Sequence, residues 1–227
     1  VVQLHRRHDW NLTPREAIAL QQRLRGDVIV DQPLDLTAIH LVAGVDVSVR
    51  DNVSQAAVVV VSFPGLAHVE TVLAHMPTPF PYVPGLLSFR EGPVLEEAFG
   101  KLRHKPDVFI FDGMGIAHPR RLGVASHMGL WLEAPTIGCG KTRLCGQHEE
   151  PGPEKGDAAP LVDKGETIGV ALRTRTGTKP VYISSGHLCD LASAVELVLR
   201  CTPKFRLPEP IRLAHNAAGQ LRPSDIF

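Results

Sequence analysis

Asp107-Val108-Phe109-Ile110-Phe111-Asp112 is the stretch on which the fold turns. Val108 to Phe111 are apolar in succession, so a strand made from them hides both of its faces, as a central parallel strand must. Just downstream, Arg120–Glu133 carries the periodicity of a helix, and Pro135–Cys139 is a second short apolar strand. Together these segments read as a strand–helix–strand crossover. Upstream lie three further strand-like segments, Leu41–Arg50, Gln55–Phe63 and Ala67–His75. Only Asp51-Asn52-Val53-Ser54 and Pro64-Gly65-Leu66 separate them, breaks that suit an antiparallel meander. The fold class expected is therefore α/β, a mixed β-sheet flanked by helices, in a single domain over residues 1–227.

The remaining segments fit around that sheet. Thr13-Pro14-Arg15-Glu16 is a helix start: Thr13 caps, Pro14 sits where its missing N–H costs nothing, and Glu16 can close a capping box. Ala17, Ile18, Leu20 and Leu24 form its apolar face, and Gly26 ends it. Pro77 to Gly85 holds four prolines in nine residues and must be a stiff loop. A helix follows from about Glu91 to Arg103, with Pro93 in its first turn. Glu149–Pro160, rich in Pro, Gly and charge, reads as an exposed excursion. Thr167–Arg173 and Pro180–Ser184 suggest another hairpin, and Cys189 to Cys201 a helix. Pro208-Glu209-Pro210 reads as a stiff extended run that leaves His215 on the surface.

Composition narrows the function classes. The chain has 227 residues, 44% hydrophobic, enough for a substantial core. Its longest apolar run, Ala56 to Val61, has the length of a strand, far from the ~20 residues of a membrane span. The first residues show no signal-peptide pattern, so the expected location is cytoplasmic. Cys139, Cys145, Cys189 and Cys201 form no CxxC pair and are read as reduced thiols. Net charge is zero, which argues against a generic nucleic-acid coat, yet it is unevenly spread. Residues 1–100 carry 7 Lys/Arg against 11 Asp/Glu, and residues 101–227 carry 17 against 13. A basic half beside an acidic cluster suits a protein that grips phosphate and holds cations.

Three carboxylates stand out by position. Asp46 is the one acid inside an apolar strand, Val42-Ala43-Gly44-Val45-Asp46-Val47-Ser48-Val49, where it needs strong donors or a metal. Asp112 ends its strand and leads into Gly113-Met114-Gly115, at the carboxyl end where α/β sheets bind ligands. Glu91 follows the proline-rich loop at a helix start. Singly, each has a bland alternative: a turn, a cap, or a favourable helix dipole. Jointly, hard oxygen donors on neighbouring elements are what Mg²⁺ requires. His118 and Arg120, entering a helix after Pro119, form a candidate phosphate contact, the alternative being a histidine that packs a turn. Gly140-Lys141-Thr142 has the ending of a Walker A motif, but Pro135 stands where its first glycine would be. Lys141 remains as a point charge at the end of a strand, placed to hold a phosphate oxygen.

Two long stretches make the pattern specific: the 13 residues Pro81-Tyr82-Val83-Pro84-Gly85-Leu86-Leu87-Ser88-Phe89-Arg90-Glu91-Gly92-Pro93, and the 16 residues from Asp112-Gly113-Met114-Gly115 to Ser126-His127. With Gly44–Ser48, Gly140–Thr142, Ser185–His187 and Arg212–His215 in the same order, they resemble the endonuclease V family over roughly residues 40 to 218. The resemblance implies a ribonuclease H-like fold. It also implies hydrolysis, with Mg²⁺ (which Mn²⁺ can replace), of the second phosphodiester bond 3′ to a deaminated purine, leaving 3′-hydroxyl and 5′-phosphate ends.

Carried over, Asp46, Glu91 and Asp112 would hold the metal, with Lys141 and His215 completing the catalytic set. Pro81, Tyr82, Val83 and Pro84 would form a wedge that separates the strands. Gly85, Leu87, Gly113 and Gly123 would line the lesion pocket. Met114, Gly140 and His215 depart from residues common in the family at those places: a polar residue, alanine and aspartate. The expected partner is double- or single-stranded DNA containing inosine, bound by a monomer away from any membrane. The same scaffold aimed at inosine in RNA, or a catalytically idle binder, are the competing readings.

Overall fold

The computed structural model describes residues 2–220. Strands β1 (Leu41–Arg50), β2 (Val53–Ser62) and β3 (His68–Pro77) form the expected meander, with β2 antiparallel to both neighbours. The first hairpin is tighter than the sequence indicated. Arg50 pairs with Val53, so only Asp51 and Asn52 turn the chain, both at positive φ, which short polar side chains tolerate. β4 (Val108–Phe111) lies parallel to β1, and β5 (Thr136–Gly140) parallel to β4. β6 (Ala158–Asp163), β7 (Glu166–Leu172) and β8 (Val181–His187) extend the sheet on the far side of β5. The eight strands run in the order β3-β2-β1-β4-β5-β8-β7-β6.

Among the described residues, five α-helices accompany the sheet: α1 (Pro14–Leu24), α2 (Leu87–Gly100), α3 (Val124–Leu132), α4 (Leu191–Arg200) and α5 (Glu209–Ala218). Phe109 and Phe111 of β4 face one side and pack with Leu95 and Phe99 of α2 and Trp131 of α3. Val108 and Ile110 face the other, with Leu197 of α4 and Ile211 of α5. The double-sided burial read from Val108–Phe111 is thus real, and the class is α/β with a mixed sheet. α1 begins with the capping box of Thr13 and Glu16 and packs Ala17, Leu20 and Leu24 against Phe80, Leu86 and Phe89. Among the described residues, no helix is long and apolar enough to cross a membrane.

Four local readings needed correction. α2 starts at Leu87, so Pro93 lies inside the helix rather than in its first turn. α3 starts only at Val124, because the chain from His118 turns through Arg121 at positive φ before Gly123 caps the helix. The excursion after Glu149 is shorter than expected, since Ala158 already opens β6. Pro208 and Pro210 begin α5 instead of holding an extended run. In a first turn the missing N–H has no intrahelical partner to lose, so proline there favours a helix.

Candidate active site

The sheet register sets Asp46 beside Asp112. Val45 pairs with Phe111 and accepts from the Asp112 N–H at 2.8 Å, so the next residue on each parallel strand is an aspartate. His215 arrives on α5, which crosses β1 so closely that a Cβ on Gly44 would lie 2.1 Å from the Pro210 carbonyl. Glycine at 44 therefore admits the helix that brings His215 Nδ1 to 2.7 Å from Asp46 Oδ2. Lys141, just past β5, places its ammonium against Asp112 Oδ2 and 3.2 Å from His215 Nδ1. One ligand atom from each of Asp46, Asp112 and His215 lies within 4.8 Å of the others.

Glu91 stands outside that tight group, on the buried side of α2, yet it feels both aspartates. Burial first, then the charges of Asp46 and Asp112, push its carboxyl well above the usual range. Burial and the Asp112 charge likewise raise Asp46, against the pull of His215 and Lys141. Acids crowded this way lack positive charge. Two aspartate oxygens with an imidazole, and a third acid behind them, form a donor set that fits a hard divalent cation.

Beside the acids opens a cavity of about 320 Å³. The four residues expected to line a base pocket, Gly85, Leu87, Gly113 and Gly123, all line it, and Asp112 and Lys141 form the edge it shares with the acids. Gly123 is a place of close approach, where a Cβ would lie 2.3 Å from the Met114 carbonyl oxygen. Tyr82, Val83 and Pro84 form the rim, whereas Pro81 is exposed outside the lining. Tyr82 is 69% exposed, its ring 5.8 Å from the Arg90 guanidinium.

His118 and Arg120 take positions different from an open phosphate contact. His118 is buried, donating from Nε2 to the Gly85 carbonyl and accepting the Arg120 N–H at Nδ1. Burial, against the pull of the Gly85 carbonyl, holds its pKa down to about 4, so the ring is neutral at pH 7. Arg120 donates from Nη2 to the same carbonyl and from Nε to Gln21. The sequence reading passed over Gln21. Its one signal was a polar side chain in register with the apolar positions Ala17, Leu20 and Leu24 of α1.

The sequence profile of the endonuclease V family matches residues 22–216. The chain belongs to the endonuclease V family. An endonuclease V of Nostoc punctiforme is 52% identical over 220 residues, which cover 96% of this chain and 99% of the relative. The crystal structure of the Streptomyces avermitilis endonuclease V is 44% identical and superposes with a TM-score of 0.88 over 92% of each chain. The Ciona intestinalis endonuclease V, crystallised with DNA containing an inosine followed by a ribo-adenosine, is 29% identical, with a TM-score of 0.78 over 91% of this chain and 97% of that one.

Proposed function

We propose that the chain is a Mg²⁺-dependent endonuclease that recognises inosine in a nucleic-acid strand and hydrolyses the second phosphodiester bond on its 3′ side, leaving 3′-hydroxyl and 5′-phosphate ends. The observation that carries this reading is adjacency: the ligand atoms of Asp46, Asp112 and His215 adjoin a cavity lined in part by glycines, and Asp112 and Lys141 border both. The inosine-containing DNA held by the Ciona relative points the same way.

Asp46 and Asp112, with Glu91 behind them and His215 alongside, would hold the cation. Bound there, Mg²⁺ (or Mn²⁺) would supply Lewis-acid stabilisation of the phosphate and a more acidic water. Lys141 pairs with Asp112 and, as a point charge just past β5, would hold a phosphate oxygen. The base must leave the stack to reach the cavity, at a cost of a few kcal/mol. Tyr82, stiffened by the prolines around it and already exposed, can stack in the vacated space. Gly113 leaves room for Val124 and Gly123 lets its backbone lie against the Met114 carbonyl, so the wall there is closely packed; a base edge set against it would find no room for the exocyclic amine that distinguishes guanine from hypoxanthine.

A second reading, cleavage of ribonucleotide-containing strands, is favoured by the ribo-adenosine that follows inosine in the DNA of the Ciona complex. End-labelled duplexes carrying one inosine, as deoxyribose or ribose, with Mg²⁺ or EDTA, test both readings. A metal-dependent nick one nucleotide 3′ of deoxyinosine supports the first, and the same nick confined to the ribose strand supports the second. Binding without a cut in either would reduce the protein to a reader of inosine.

A further inference from the structure

Two walls of the cavity come from separate loops, around residues 82–87 and 112–124, while residues 140–144 line another side. Among the described residues, no backbone–backbone hydrogen bond joins them. Side chains do, and they converge on one atom. The Gly85 carbonyl oxygen accepts from Gln21 Nε2 at 2.9 Å, His118 Nε2 at 3.0 Å and Arg120 Nη2 at 2.8 Å. His118 and Arg120 belong to the second loop. Gln21 belongs to neither, and its Nε2 also reaches the Leu122 carbonyl at 3.2 Å, immediately before Gly123. Its Oε1 accepts the Arg120 Nε–H, so both ends of the amide are engaged.

A buried glutamine without partners costs several kcal/mol, and Gln21 is only 1% exposed. Here its geometry is fixed from three directions while the helix beneath it is anchored by Leu20 and Leu24 in the core. We propose that Gln21 is a positioning residue: one amide, standing on α1, clamps both walls of the cavity and so sets the width by which the base is selected. Gly85 is at positive φ, a backbone state with other conformations close in energy, so a loop released there has room to move. A wider gap costs little in the acids, which stand on the sheet and helices. It costs more in the fit of the base and in the exclusion of a larger purine.

This inference rests on the base-pocket reading above for its substrate, but not for its mechanical content. Gln21→Met keeps the volume and removes every hydrogen bond, whereas Gln21→Glu keeps an acceptor for Arg120 and loses both donors to the walls. Both variants should raise KM for an inosine strand about tenfold, the worth of a buried hydrogen bond, and leave the saturated cleavage rate within about threefold of wild type. Preference for inosine over guanine should fall by a similar factor. Hydrogen exchange should quicken in peptides spanning 80–90 and 120–126 while the sheet keeps its protection. Wild-type behaviour of Gln21→Glu would move the role to Arg120 alone and overturn the clamp, as would unchanged exchange in both loops or an undiminished base preference. If the wild type ignores inosine yet the loops of both variants exchange faster, the clamp stands and the substrate reading fails.

Discussion

In the acid centre, side chains project from the sheet and two helices; Asp46 and Asp112 are neighbours by strand register, and His215 comes in on a helix packed against β1. In the cavity beside it, the lining comes largely from loops, two of which are tied together by a buried amide and by a neutral histidine and an arginine from a turn. The first region stores its chemistry in charge and the second in shape. Charge survives small shifts of backbone, whereas the shape proposed to tell purines apart by one amine would not. On the proposed function, a single fold would keep its phosphodiester-cutting centre on the sheet and helices and place selectivity largely in the loops beside it.

The largest effect should come from the acids. Asp46→Ala should lower cleavage of an inosine strand about a thousandfold, as EDTA should in the wild type, while a gel-shift titration shows binding largely retained. Unchanged cutting would remove Asp46 from the metal site and erase the contrast between the regions. Tyr82→Ala, at the rim, should weaken binding about tenfold, the usual scale of one aromatic stacked on a base, with no change in melting temperature because the ring is exposed. Equal binding by the variant would leave the cavity without its wedge.

Glu70 offers a buried acid of the opposite kind. Burial works against its charge, but the side chain and N–H of His104 and the N–H and side chain of Arg103 overcome it and hold the pKa down to about 2, from an ordinary 4.5. A carboxyl lowered on folding stabilises the fold fully above pH 4.5 and loses that contribution as pH falls toward 2. Glu70→Ala should cost about 1–3 kcal/mol in urea unfolding at pH 7, with a shallower loss of stability in acid, and leave cleavage untouched. Loss of cleavage in a folded variant would show that satisfied and unsatisfied acids are not separate in this molecule. The smallest effect should come from Gly140→Ala. Its methyl would lie 2.4 Å from Met114 Cε, the mobile end of a flexible side chain that lines the cavity. Single-turnover assays should show less than about a threefold loss, recovered by adding Met114→Ala.

The two departures at 114 and 140 illustrate what a linear reading misses. As residues in a row they are two separate oddities; in space the methionine occupies the volume that an alanine methyl at 140 would need. The meander, the crossover and the capping box of α1 were legible because each depends on a period or a spacing among near neighbours. The prolines before His215 were misread because proline favours both extended chain and a helical first turn, and only packing against β1 selects between them. β6 was hidden for a related reason: its alternation is short, and pairing with β7 decides it.

By itself, the sequence determined the sheet class, the start of α1 with its capping box, the two long family stretches and the acids worth testing. Only the tertiary structure decided that Asp46 and Asp112 sit side by side with His215, that Glu91 stands apart from that tight group, and that Gln21 bonds two loops 64 and 101 residues away. The physical reason is range. Propensity, periodicity and capping act over a few residues, while the acid cluster and the hydrogen bonds of Gln21 are contacts between residues far apart in sequence, whose distances are fixed by how helices and strands pack.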